Sequence, residues 1–157
     1  GKGASMPQHK TSLRRLWGVL SDVCGRPVAV TWSDDLSAAH IKARAARYHP
    51  NPQYAGRAII ELSRDLLTDA KGMPLPSFDW TIWHECGHIR YGHVDDENAP
   101  VTAAELALLK RAGQLRTTSG LNASAQGRQQ EKEANAFADA MIAEHGNRLL
   151  AELIFEY

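Results

Sequence analysis

Residues 84–88 read His-Glu-Cys-Gly-His, and this cluster of ionisable side chains lies among Trp80, Ile82, Trp83 and Ile89. Apolar neighbours of that size are normally buried, so the fold must bring His84, Glu85 and His88 into or beside its core. A buried trio of this kind is costly unless its members are paired or bound. On an α-helix each residue advances about 100°, so His84 and His88 lie within about 40° of each other and one turn apart. Ser77 can cap such a helix, Phe78, Ile82 and Ile89 fall on its spacing, and Gly92 stands near its end. The pattern predicts a helix over 77–91.

Two imidazoles on one helical face can reach one ion, and neutral imidazole is a good ligand for zinc. Glu85, beside the pair, can touch a metal-bound water rather than the metal, which makes it the candidate general base. In that chemistry zinc acidifies its water and polarises a peptide carbonyl, while Glu85 takes a proton during attack and returns it to the leaving amine. The same short pattern also arises by chance on surface helices, but the apolar flanks argue against that origin here.

A catalytic zinc needs a third protein ligand and an open position. The spacing that puts a glycine and then a third histidine beyond the second His falls on Tyr91 and Val94, leaving Gly92 and His93 out of register. His93 is therefore expected to end the helix, against its last carbonyls. The other source is a carboxylate on a later helix, where Glu131 and Glu133 of EKEANAFADAMI compete. An acidic pair at a helix start also serves as a solvated cap that complements the helix dipole. Cys86 sits about 200° around the helix from His84 and is expected to face packing. Tyr54, Tyr91 and His145 cannot be placed from spacing, and the tryptophans are expected in the core.

Elsewhere, Leu13, Leu16, Trp17 and Leu20 predict a first helix over 11–24, with Thr11 or Ser12 as cap and Gly25 as its end. Val28–Trp32 reads as a strand closed by turn residues Ser33-Asp34-Asp35. Residues 40–48 read as a second strand, with a short helix as the alternative, and Arg57–Leu62 as a third, joined to the second through Pro50-Asn51-Pro52. Thr102 and Glu105 form a capping box for a helix over 102–110. A Ser-, Thr- and Asn-containing connection spans 117–127. A long helix over 129–145 then carries Ala134, Phe137, Ala138, Met141 and Ile142 on one side, and a short helix over 148–155 follows. The order predicts an α+β domain, a small antiparallel sheet of about three strands packed beside a helical bundle.

A chain of 157 residues with 43% hydrophobic content fits one domain, expected over 6–157, with residues 1–5 before Met6 resembling a cloning remnant. Eighteen basic residues balance eighteen acidic ones, so no global field recruits nucleic acid or an anionic membrane. Without a membrane-length apolar run or a signal-peptide pattern, the expected location is cytoplasmic. Cys24 and Cys86 are too few for a disulfide scaffold.

HECGHIRYGH followed downstream by EKEANAFADAMI is similar to the ImmA/IrrE family of metallopeptidases, and AIIELS resembles the strand before that family's active helix. The resemblance covers residues 26–145, with its diagnostic positions in two short segments. It implies a zincin-like fold and a gluzincin-like site in which His84, His88 and Glu133 bind Zn2+ and Glu85 is the base. Glu133 takes this role over Glu131 because it immediately precedes Ala134-Asn135. The resemblance also implies a regulatory protease, of the kind carried by phages and mobile elements, whose protein substrate is a helix-turn-helix transcriptional repressor. Direct nucleic-acid contact is not expected. Two departures are the long connection over 95–127 and the short extension after His145. Two other readings are a zinc-containing regulatory module without proteolysis and a deformylase-like hydrolase using Cys24.

Overall fold

The computed structural model describes residues 13–95, 102–113 and 125–155. A 3-10 turn at Leu13–Leu16 leads into α1 (Trp17–Cys24), which stops at Gly25 in the left-handed region at φ 73°. The expected caps Thr11 and Ser12, and residues 1–5, lie outside the described residues. β1 (Val28–Trp32) matches its predicted run. The next residues do more than turn the chain: Ser33 caps a short helix, α2 (Asp34–Ala38), by accepting the Leu36 N–H. Of the expected second strand over 40–48, only β2 (Ala43–Ala46) forms, a 3-10 turn at Pro52–Tyr54 follows, and β3 (Ala58–Leu62) leads into α3 (Arg64–Leu67).

The sheet has strand order β1-β3-β2. β2 and β3 form the expected antiparallel pair, but β1 runs parallel to β3, with Val30 opposite Ile60. The expectation of an all-antiparallel sheet is therefore corrected to a mixed one. α2 carries the chain from β1 past the place of β3 to β2, and β3 returns between the two strands, antiparallel to β2 and so parallel to β1. β3 is buried at every position, as a central strand covered on both faces should be.

One sheet face carries Val28, Val30, Ala43, Ala45, Ile60 and Leu62 into the main core. Against it packs α4 (Phe78–Arg90), contributing Ile82, Trp83, Cys86 and Ile89. The opposite face buries Ala29, Ala46 and Ile59 with Tyr54, and there Arg44 and Glu61, direct cross-strand partners, form an ion pair at 3.0 Å. α5 (Ala103–Arg111) closes a small cluster with α2, and its predicted cap is present, since the Glu105 N–H donates to Thr102 Oγ1 at 3.0 Å.

α6 (Ala125–His145) begins one turn earlier than expected and lies along α4. α7 (Leu149–Ile154) returns beneath the start of α4, where the buried Asp79 carboxylate accepts the N–H groups of Leu150 and Ala151 at 2.9 and 3.3 Å. No helix among the described residues is long and apolar enough to cross a membrane.

Candidate metal centre

α4 is buried from one end almost to the other, and its polar trio is buried with it: His84 is 6% exposed, Glu85 2% and His88 0%. His84 and His88 turn their Nε2 atoms toward each other at 3.1 Å. The facing helix supplies Glu131, whose Oε2 lies 2.8 Å from His88 Nε2 and whose Oε1 lies 3.4 Å from His84 Nε2. Ligand atoms of these residues all fall within 4.8 Å of one another.

The close approach of α4 and α6 is set by two small residues. A Cβ added to Gly87 would sit 3.0 Å from the Ala134 Cα. Ala134 and Ala138, one turn apart and both fully buried, fix which face of α6 meets α4. Glu131 lies one turn before Ala134 on that same face, whereas Glu133, next to Ala134 in sequence, is rotated by about 100° from it. The expectation of Glu133 as third ligand is thus corrected: the structure brings Glu131 to the histidine pair and places Glu133 elsewhere. The signal was present in the sequence, because the Ala134/Ala138 stripe extended back by one turn reaches Glu131.

Glu133 instead meets His93, whose Nε2 lies 2.7 Å from Glu133 Oε1, while His93 Nδ1 lies 3.0 Å from His88 Nδ1. The expectation that His93 binds the last helix carbonyls is therefore also corrected. Tyr91 occupies the C-cap, Gly92 at φ 75° reverses the chain, and His93 swings back under His88 in a 3-10 turn, His93–Asp95. Arg26 anchors that turn through Asp95 at 3.0 Å.

Around the cluster, Trp80 stacks on the His84 ring with centroids 5.1 Å apart, and its Nε1 donates to Asp139 at 2.8 Å. Cys86 faces the core, as expected, where Cys24 Sγ contacts its carbonyl; neither sulfur belongs to the cluster. Tyr54 lies on the far sheet face, and His145 leans toward Trp83. Tyr91 is half exposed, edge-on to Phe137.

The electrostatics follow from burial and pairing. Burial opposes ionisation of Glu131, but its hydrogen bonds to His84 and His88 prevail and hold it well below the usual carboxylate range. Burial pulls His84 down, and Glu131, Glu85 and Asn135 together outweigh it and raise its proton affinity. Glu85 is pushed up by burial, against the opposing influence of His84 and His88. His93 is lowered by burial, which exceeds the effect of Glu133.

These residues fit a zinc ion. The donors are imidazole nitrogen and carboxylate oxygen, the types zinc takes, and ligands about 2.0–2.1 Å from a tetrahedral ion stand about 3.3 Å apart. The observed separations of 2.8, 3.1 and 3.4 Å are close to that spacing. Beside them, Glu85 Oε1 is buried with no hydrogen-bond partner among the described residues. Comparison with family models, with curated proteins and with solved structures finds no match to this chain.

Proposed function

We propose that this chain is a zinc-dependent endopeptidase of the ImmA/IrrE type, with His84, His88 and Glu131 holding the metal and Glu85 as general base. The observation that carries the reading is the convergence of two imidazoles and a carboxylate from separate helices beside a buried, unpartnered Glu85 oxygen. A bound zinc supplies a Lewis acid and a water of near-neutral pKa. Glu85 takes the proton released by the attacking water and delivers it to the leaving nitrogen. Burial raises the proton affinity of Glu85, against the influence of His84 and His88. Trp80 stacks on His84, and the close α4–α6 contact sets how near Glu131 comes to the histidines.

The substrate we propose, on the resemblance of the HECGHIRYGH and EKEANAFADAMI segments, is a regulatory protein such as a helix-turn-helix repressor. The test is metal content of the purified protein beside Glu131→Ala, followed by incubation of wild type and Glu85→Gln with candidate repressors. About one zinc per chain, lost in Glu131→Ala, together with cleavage lost in Glu85→Gln, is the expected result. Zinc absent from the reconstituted wild type, or undiminished cleavage by Glu85→Gln, sinks the reading.

One observation favours a second reading, a zinc-stabilised regulatory module without proteolysis. The two imidazoles are almost fully enclosed, with His88 at 0% exposure, and catalytic zinc keeps an open position where structural zinc does not. A partner response unchanged by Glu85→Gln selects this reading.

A further inference from the structure

His88 is held from both sides. Its Nε2 faces His84 and Glu131, and its Nδ1 faces a second ring, His93, which in turn faces Glu133. The ligand set uses only the Nε2 side, so the outer chain of contacts needs its own account.

The hydrogens in that chain can be assigned from its outer end. Glu133 Oε1 stands 2.7 Å from His93 Nε2, a separation at which a bare nitrogen lone pair would face carboxylate charge, so that nitrogen carries the hydrogen. A neutral His93 then has only a lone pair on Nδ1. That lone pair, 3.0 Å from His88 Nδ1, needs a donor, so His88 carries its hydrogen on Nδ1. The remaining lone pair of His88 is on Nε2, the atom turned toward His84 and Glu131. Every donor in this arrangement meets an acceptor. With His93 neutral and the hydrogen of His88 on Nε2 instead, His93 Nδ1 and His88 Nδ1 would oppose two lone pairs, or His93 Nε2 would meet Glu133 bare.

We propose that His93 and Glu133 are positioning residues for the metal centre, an outer pair that orients the His88 ring and fixes its hydrogen on Nδ1 so that Nε2 is the ligating atom. The inference rests on the metal-centre reading above. Its structural basis is the reversal at Gly92 and the Arg26–Asp95 pair, which hold His93 beneath the end of α4, and the helical phase that points Glu131 inward and Glu133 to the side. Two carboxylates of one helix, two residues apart, thus meet the histidine pair and the ring behind it. Metal-bound histidines generally donate their second ring N–H to such a partner, and losing the partner typically weakens metal binding by about 10–100-fold.

The test uses the full chain and zinc alone, with no substrate. Zinc affinity is measured by competition with a chromogenic chelator for wild type, Glu131→Ala, His93→Phe, His93→Gln and Glu133→Gln. In parallel, 15N ring NMR of the zinc-loaded wild type reports which nitrogen of each histidine carries hydrogen. His93→Phe is expected to weaken zinc by about 10–100-fold. His93→Gln, whose carboxamide oxygen can accept from His88 Nδ1, should recover much of the loss, and Glu133→Gln should weaken zinc less than His93→Phe. The spectra should place the hydrogen of His88 on Nδ1 and that of His93 on Nε2. Unchanged affinity in both His93→Phe and Glu133→Gln, or the opposite hydrogen placement on either ring, overturns the proposal. If Glu131→Ala loses zinc while His93→Phe does not, the metal centre stands and only the positioning role falls. If wild type takes up no zinc, both fall. Because the NMR readout needs no substitution, a His93→Phe chain that fails to fold leaves the question decided by the spectra and by Glu133→Gln.

Discussion

Gly87 and Ala134 touch backbone to backbone: a Cβ on Gly87 would lie 3.0 Å from the Ala134 Cα and 3.3 Å from the Phe137 Cβ. The glycine inside the HECGH segment is therefore the seat of the second helix, and the distance from Glu131 to the histidines depends on it. Gly87→Val is expected to overpack this contact, lower stability by about 1–3 kcal/mol and weaken zinc binding. Urea unfolding and a zinc titration of the same variant check both effects; an unchanged midpoint with unchanged affinity contradicts the account.

Glu131 and Glu133 should separate cleanly under substitution. Glu131→Ala removes a donor of the cluster and should abolish stoichiometric zinc, whereas Glu133→Ala should leave the metal bound but held less tightly. Elemental analysis after dialysis against a weak chelator distinguishes them. The reverse order of losses would mean that α6 sits in a different rotation about its axis in solution.

Asp79 offers a test of stability against pH that is independent of metal. Burial raises its folded pKa above the ordinary 3.8, despite the N–H groups of Leu150 and Ala151 that favour its charged form. A raised folded pKa means the native state binds more protons than the unfolded chain between those two values. The contribution of Asp79 is therefore fully present below its unfolded value and is lost as pH rises through the folded one. Relative to Asp79→Asn, which does not titrate, wild type should lose stability as pH climbs from about 3.8 through that window. Urea midpoints of the two proteins across mildly acidic to neutral pH give the slope, and a flat or opposite difference would contradict it.

The Arg44–Glu61 pair, with side chains 2% and 5% exposed, should respond asymmetrically. Arg44→Met leaves Glu61 buried beside a more distant His49 at 3.6 Å and is expected to cost about 3–5 kcal/mol. Replacing both partners, Arg44→Met with Glu61→Leu, should restore most of that stability, since the apolar pair carries no desolvation penalty. Chemical denaturation of the single and double variants decides, and additive losses would show that the pair is not what holds these strands.

Much of the fold was legible because it is written locally. The α4 periodicity, the β-branched runs of β1 and β3, the Thr102 cap and the Gly25 stop each depend on residues a few positions apart. Strand pairing does not: nothing within Val28–Trp32 says that it will lie parallel to Ala58–Leu62 rather than against Ala43–Ala46. The site divides the same way. His84, Glu85 and His88 share one helix and were readable together, while the choice between Glu131 and Glu133 is made by how Ala134 meets Gly87 across the fold. His93 was misplaced for a related reason, since its destination depends on the direction the chain takes after Gly92.

The rotational setting of α6 also determines where this chain can tolerate changes in length. Residues inserted ahead of Ala125 leave the order Glu131, Ala134, Ala138 on one face, so the carboxylate still reaches the histidines. A single residue inserted or deleted between Glu131 and Ala134 turns the carboxylate by about 100° around the helix while Ala134 stays seated. Deleting one residue there brings Lys132's predecessor out of reach and leaves α6 presenting a different side chain to His88. Length variation in related genes should therefore accumulate upstream of α6 and stop abruptly at Glu131, a reading-frame boundary drawn by helix geometry rather than by the chemistry of any one residue.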